Sequence, residues 1–145
     1  MYHAIIKRLV RRGYEHISRG EFEPVTKLFT SSAVFRFSGD HAMGGERRGP
    51  DEVRAWFEFV GRLFRDFRLE PLEIVVDGWP WNTCVAVRFR VHATLPDGAA
   101  YGNEGMQFLR LRWGRAVEDF LYEDTQKLAK ELERMGASRP AVASA

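Results

Sequence analysis

From Thr83 to Leu95 apolar and polar positions alternate: Val85, Val87, Phe89 and Val91 against Ala86, Arg88, Arg90 and His92. A two-residue period belongs to a β-strand with two unlike faces. Pro96-Asp97-Gly98 turns the chain, Tyr101–Trp113 alternates again, Gly114 turns it once more, and Ala116–Glu123 runs back to Asp124-Thr125, where helical spacing begins. Three consecutive antiparallel strands of this length predict one curved sheet. The other segments are then read for what they cover.

Tyr2–Ser18 places Ile6, Leu9, Val10, Gly13 and Ile17 along one side of a helix, with Lys7, Arg8, Arg11, Arg12 and Glu15 opposite and Tyr14 at the stripe's edge. Phe22–Thr30 reads as a second short helix, with Pro24 tolerated in its first turn. Ala33–Phe37 predicts a brief strand, and Gly39–Gly45 a glycine-rich loop too flexible for core. Pro50 opens a third helix with a wide apolar face formed by Val53, Trp56, Phe57, Val60, Leu63 and Phe64. Leu69–Asp77 supplies another long strand. Asp124 is placed to cap a last helix that presents Leu128 and Leu132 and stops at Gly136, leaving 137–145 as a loose tail. Helices first and an antiparallel sheet after them make an α+β chain, with a single domain over 1–136.

The 145 residues suit one core, and 45% hydrophobic with 13% aromatic content can fill it. No stretch approaches the run of about 20 apolar residues that spans a bilayer. Charged periodicity begins at Lys7 without a signal-peptide pattern, and the single Cys84 cannot form an internal disulfide, so the expected home is the cytoplasm. A net charge of +2 with dispersed acids argues against a nucleic-acid partner. Four scattered histidines lack metal-ligand spacing, and neither a phosphate-binding glycine loop nor a Gly-x-Ser-x-Gly elbow occurs. No metal, cofactor or membrane partner is expected.

Several runs resemble one family in order and spacing: Tyr14 to Phe22 before Leu28 to Phe35, Gly49 followed by Val53-Arg54-Ala55-Trp56-Phe57, and Gly114-Arg115-Ala116-Val117 leading to Tyr122-Glu123-Asp124-Thr125. Together they are similar to the nuclear transport factor 2-like superfamily, in particular its SnoaL-like and ketosteroid isomerase-like members. The resemblance implies a cone-shaped curved antiparallel sheet with three N-terminal helices on its concave face and a C-terminal helix. It also implies a small apolar or polycyclic ligand inside the cone and a homodimer formed through the outer sheet face. The fold hosts isomerases, cyclases, hydrolases and non-catalytic binding modules, so it does not by itself select an activity.

Within the resemblance, Tyr14 falls where ketosteroid isomerases carry an oxyanion-binding tyrosine, and Gln107 where they carry a second donor. Their general-base aspartate falls on Phe37 or on Asp40, depending on the side from which the loop is counted. Leu95-Pro96-Asp97-Gly98 is similar to a hairpin of limonene epoxide hydrolases; from it their catalytic arginine matches Arg88, while their two aspartates match Arg90 and Leu121, which removes that activity. These registers send Arg88, Arg90, His92, Asn103, Gln107, Asp119, Leu121 and Glu123 into the cone, joined by Tyr14 and Trp56, and turn Val85, Val87 and Phe89 outward. The alternation alone also allows valines inside and arginines in solvent, the commoner place for arginine. Asp40 and His41 are expected on a loop at the mouth. Tyr14, Asp119, Glu123, His92 and Asp40 are thus the candidate acid, base and oxyanion groups; Trp56, Arg88, Arg90, Asn103, Gln107, Leu121, Phe37 and His41 are the candidate ligand contacts. The expected activity is cofactor-independent isomerisation, cyclisation or hydration, with a non-catalytic binding module as the alternative.

Overall fold

The alternating segments form a single six-stranded curved sheet in the computed structural model, which describes residues 1–138. In chain order the elements are α1 (Tyr2–Ser18), α2 (Glu23–Thr26), β1 (Phe29–Phe37), β2 (Gly45–Arg48), α3 (Gly49–Leu63), β3 (Arg65–Trp79), β4 (Asn82–Thr94), β5 (Ala100–Arg112), β6 (Arg115–Glu123) and α4 (Thr125–Arg134). Across the sheet the order is β2-β1-β6-β5-β4-β3. Every neighbouring pair is antiparallel except β1 and β6, which run parallel. That pair brings the N-terminal half of the chain beside its C-terminal strand.

Helix α1 buries Ile6, Val10, Tyr14 and Ile17, a stripe spaced by three and four residues, so Tyr14 sits within the buried face rather than at its edge. Helix α3 buries Val53, Trp56, Phe57 and Val60, and Trp56 packs on Phe35, Phe37 and Phe57 with ring centroids 4.8, 5.2 and 5.1 Å away. The Asp124 carboxylate accepts a hydrogen bond from the Lys127 amide at 3.1 Å, capping α4 as its sequence predicts, and Leu128 and Leu132 close the core from below. Gly136 takes φ 67° and lets the Ala137 amide reach the Leu132 carbonyl, so Ala137 belongs to the helix end rather than to a tail. Residues 139–145 of the expected tail lie outside the described residues.

Two local expectations are corrected. The second helix covers only Glu23–Thr26; Phe29 is already in β1, paired with Ala116 and buried, because strand pairing satisfies its backbone while sealing the ring. The glycine-rich segment is not loose: Ala42, Met43 and Gly44 are buried, and Gly45 begins β2 opposite Phe37. Gly49 joins β2 to α3 at φ 76°, where an added Cβ would lie 2.9 Å from the Ser31 carbonyl oxygen. Gly49→Ala is therefore expected to lower stability by about 1–3 kcal/mol in urea unfolding, with m unchanged.

Candidate functional site

The register of β4 against β5 decides what faces the core. Val87 lies opposite Gln107, Phe89 opposite Gly105 and Val91 opposite Asn103, so odd-numbered residues of both strands share one face. Val85, Val87, Phe89 and Val91 are buried, and Arg88 and His92 are exposed. This overturns the expected inward placement of Arg88, Arg90 and His92. On the outer face Arg90 pairs with Glu104 at 3.0 Å, and the His92 Nε2 stands 3.9 Å from the Glu70 carboxylate. The signal was available: the loop from Leu95 to Ala99 has an odd number of residues, which keeps odd opposite odd, and Asn103 and Gln107 inside then require the valines inside.

The inner polar groups come from α1, β5 and β6. The Tyr14 hydroxyl donates to Gln107 Oε1 at 2.8 Å, and Gln107 Nε2 donates to Asp119 Oδ1 at 2.7 Å. Gln107 and Asp119 are diagonal neighbours on one sheet face, since Gln107 pairs with Leu121 and Leu109 with Asp119. An ionised carboxylate only accepts, so it takes the amide N–H and leaves the amide oxygen to Tyr14. Burial pushes the Asp119 carboxyl up to about 7, against the opposing effect of the Gln107 hydrogen bond. Burial also raises the Tyr14 hydroxyl well above its ordinary value, with the nearby Asp119 and Glu123 carboxylates adding to it.

Glu123 lies two inward positions beyond Asp119, with Leu121 between; four residues of strand put the acids about 13 Å apart along β6. Burial raises it to about 7 as well. Asn103 stands beside it, its Nδ2 donating to the Tyr101 hydroxyl at 2.9 Å, to the Asp124 carbonyl at 3.1 Å and toward Glu123 Oε2 at 3.4 Å. Gly105 keeps space here, because a Cβ would fall 2.6 Å from the Phe89 ring and 3.0 Å from Glu123.

Tyr14, Phe57, Leu69 and Leu121 divide the interior in two. The chamber on the Glu123 side is about 30 Å³ and is lined by Phe37, Met43, Trp56 and Leu128 among others. The chamber on the Asp119 side is about 370 Å³, walled by Leu9, Val10, Ile17, Val25, Leu109 and Leu111, and bordered by Arg12, His16, Lys27 and Gly114. Ligand sites usually hold roughly 300–1,000 Å³, so the second has room for an organic molecule and the first does not.

Tyr14, Gln107, Asp119 and Leu121 are thus brought together as expected. Phe37, Trp56 and Glu123 face the smaller chamber, and Asn103 supports Glu123 from the side. The expected mouth is corrected. The Trp56 indole N–H holds the Met43 carbonyl at 2.8 Å, closing the loop end, and the large chamber borders α1, α2 and the β5–β6 turn instead. Asp40 is exposed and lines neither chamber; His41 accepts from the Met43 amide at 3.2 Å through Nδ1 and packs on Phe37, folding the loop upon itself. Of the two positions for the isomerases' base, Phe37 is the one at the interior, and it offers a phenyl ring. Among the described residues, no group of three or more His, Cys, Asp or Glu is arranged to hold a metal ion, and no helix is long and apolar enough to cross a membrane.

This geometry sits in a known family. Residues 10–119 match the SnoaL-like domain, and the chain belongs to that family. Its fold is nuclear transport factor 2-like. A protein of unknown function from Burkholderia pseudomallei with that fold superposes with a TM-score of 0.74 at 22% identity, covering 86% of this chain and 94% of its own. A protein of the ketosteroid isomerase-like fold from Catenulispora acidiphila, solved in complex with trimethylamine, gives 0.70 at 13% identity over 88% and 92%. PrhC from Penicillium brasilianum gives 0.74 at 19% identity over 89% and 86%. No protein of curated function matches the sequence.

The raised acids fix the sign of a pH effect. An aspartate titrates near about 4 when unfolded, so between about 4 and about 7 the folded chain binds the extra proton and stability falls as pH rises. Asp119→Asn should leave stability near pH 4 little changed and raise it at pH 8, by about 4 kcal/mol. Chemical denaturation across pH 4–8 checks this; a parallel pH slope in wild type and variant would refute the burial of Asp119.

Proposed function

We propose that this protein binds a small, largely apolar molecule in the larger chamber and acts on it by cofactor-independent proton transfer, with Asp119 as the group that moves the proton. The observation supporting the reading is a buried carboxyl, held near neutrality by desolvation and oriented by Gln107, facing an apolar chamber large enough for a ligand. A base works best when its pKa lies near the working pH, and at pH 7 Asp119 is present in both forms. Its ionised form takes a proton from an activated C–H of the ligand, and the resulting acid returns it to another carbon or to oxygen, giving isomerisation or ring closure. Gln107 holds Oδ1, and Tyr14 fixes the Gln107 amide. Gln107 keeps a second N–H with which to meet a developing oxyanion.

Two observations favour the non-catalytic alternative: the Tyr14 proton is already given to Gln107 rather than held free for a ligand carbonyl, and Phe37 stands where a base would. The proposed working unit is a homodimer in the cytoplasm. The outer sheet face supports dimerisation with an apolar stripe of Val75, Met106, Phe108, Phe120 and Tyr122, flanked by Arg36 and Arg110 over the Phe120 and Phe108 rings. The single Cys84 supports the compartment.

Solvent deuterium exchange at the α-carbon of bound cyclic ketones separates the two readings. Catalysis predicts exchange that rises through pH 7 as Asp119 ionises and falls by about 10²-fold or more in Asp119→Asn. Saturable binding with equal, background exchange in both proteins would establish the binding module.

A further inference from the structure

Three of the four tryptophans are not in the core. Trp79 is 57% exposed, Trp81 59% and Trp113 72%, and all three lie at the tips of two adjoining hairpins, tied together by the Trp113 amide donating to the Pro80 carbonyl at 2.6 Å. Helix α1 starts beside them: Tyr2 stacks on Trp79 at 6.4 Å, His3 Nε2 meets the Gly78 carbonyl at 2.8 Å, and Ile5 is 57% exposed. This is an apolar end that the fold leaves uncovered.

Its backbone is unusual where it matters. Trp113 has φ 52° and Gly114 φ 76°, a two-residue turn with both residues left-handed, in which Asn-Gly is the preferred pair. A bulky aromatic is disfavoured in that conformation, so the strain holds an indole out in solvent. The residues flanking the turn, Arg112 and Arg115, face each other across the hairpin as like charges. Residues 1–14, 78–83 and 111–117 contain no carboxylate and carry Lys7, Arg8, Arg11, Arg12, Arg112 and Arg115. Exposed indoles beside Arg112 and Arg115, which form no ion pair among the described residues, match the chemistry of an anionic lipid surface, whose headgroup region accepts indole rings and attracts arginine. A second copy docking end to end would oppose cation to cation, which disfavours self-association here.

We propose that this end of the molecule binds reversibly to anionic membrane surfaces. Docking places the large chamber against the bilayer, since Gly114, next to Trp113, and Arg12 both border it, so an apolar ligand passes from lipid to the chamber without crossing water. The docking claim is independent of the proton-transfer reading; only the route of the ligand rests on it.

The test is co-sedimentation of the full chain, without ligand, with phosphatidylcholine vesicles and with vesicles containing phosphatidylglycerol, read together with tryptophan emission. Binding to the anionic vesicles with a blue shift, weakened by salt, is expected. Trp113→Asn suits the left-handed position, so it should keep or raise Tm while weakening vesicle binding by about tenfold. Arg112→Gln and Arg115→Gln should each weaken it by about fivefold. Asp119→Asn should bind vesicles like wild type, which separates failure of docking from failure of the catalytic reading. No binding to anionic vesicles at low salt would overturn the proposal. So would unchanged vesicle binding in Trp113→Asn, whether or not that variant loses dimers or affinity for single-stranded DNA.

Discussion

The pairing of β4 with β5 is the constraint from which the rest follows. A five-residue connection sets Val85, Val87, Phe89 and Val91 against Leu109, Gln107, Gly105 and Asn103 on one face. Apart from Thr83, whose hydroxyl donates to the Trp79 carbonyl at 2.7 Å, β4 then contributes only hydrocarbon to the interior, and the polar groups of the site come from β5 and β6 and from Tyr14 on α1. A slip of one residue would bury Arg88, Arg90 and His92 and turn the valines to water, a change no local rearrangement could offset. The outer face accommodates those polar side chains because Glu104 stands beside Arg90 and Glu70 beside His92.

An interior so poor in polar groups makes each one consequential. Among the described residues Asp119 has one hydrogen-bond donor, Gln107, and burial pushes its carboxyl up to about 7. Gln107 can serve it in one orientation only, and that orientation takes the Tyr14 proton. Three residues on three elements thus share one directional relay, in which changing one partner resets the other two. Glu123 shows the same desolvation in a chamber too small for a ligand, so a raised pKa by itself does not mark the site. Room beside the acid distinguishes Asp119.

The two ends of the molecule differ in the same spirit. At the loop end, Met43, Trp56 and His41 knit the glycine-rich segment into a plug. At the hairpin end, α1, α2 and the β5–β6 turn surround the larger chamber, and tryptophans stand in solvent. Access, acid and exposed aromatic surface therefore lie along one direction of the fold, from Asp119 past Leu109 and Leu111 to Gly114.

Local spacing determined most of the elements: the long strands, the amphipathic faces of α1 and α3, the Asp124 cap and the α+β order are properties of neighbouring residues, whereas the early start of β1 and the pairing of β2 are not. From the family resemblance came the inner facing of Gln107, Asp119, Leu121 and Glu123; spacing only set them on common faces of β5 and β6. What it left open was the facing of β4, since alternation is symmetric to inversion and only pairing with a neighbour breaks the tie. The plug at Ala42–Met43, the place of the opening and the partition at Tyr14 were equally invisible. Each depends on groups distant in sequence meeting across the core, such as Trp56 with Met43 or Tyr14 with Gln107, and such meetings exist only once the sheet has closed around its helices.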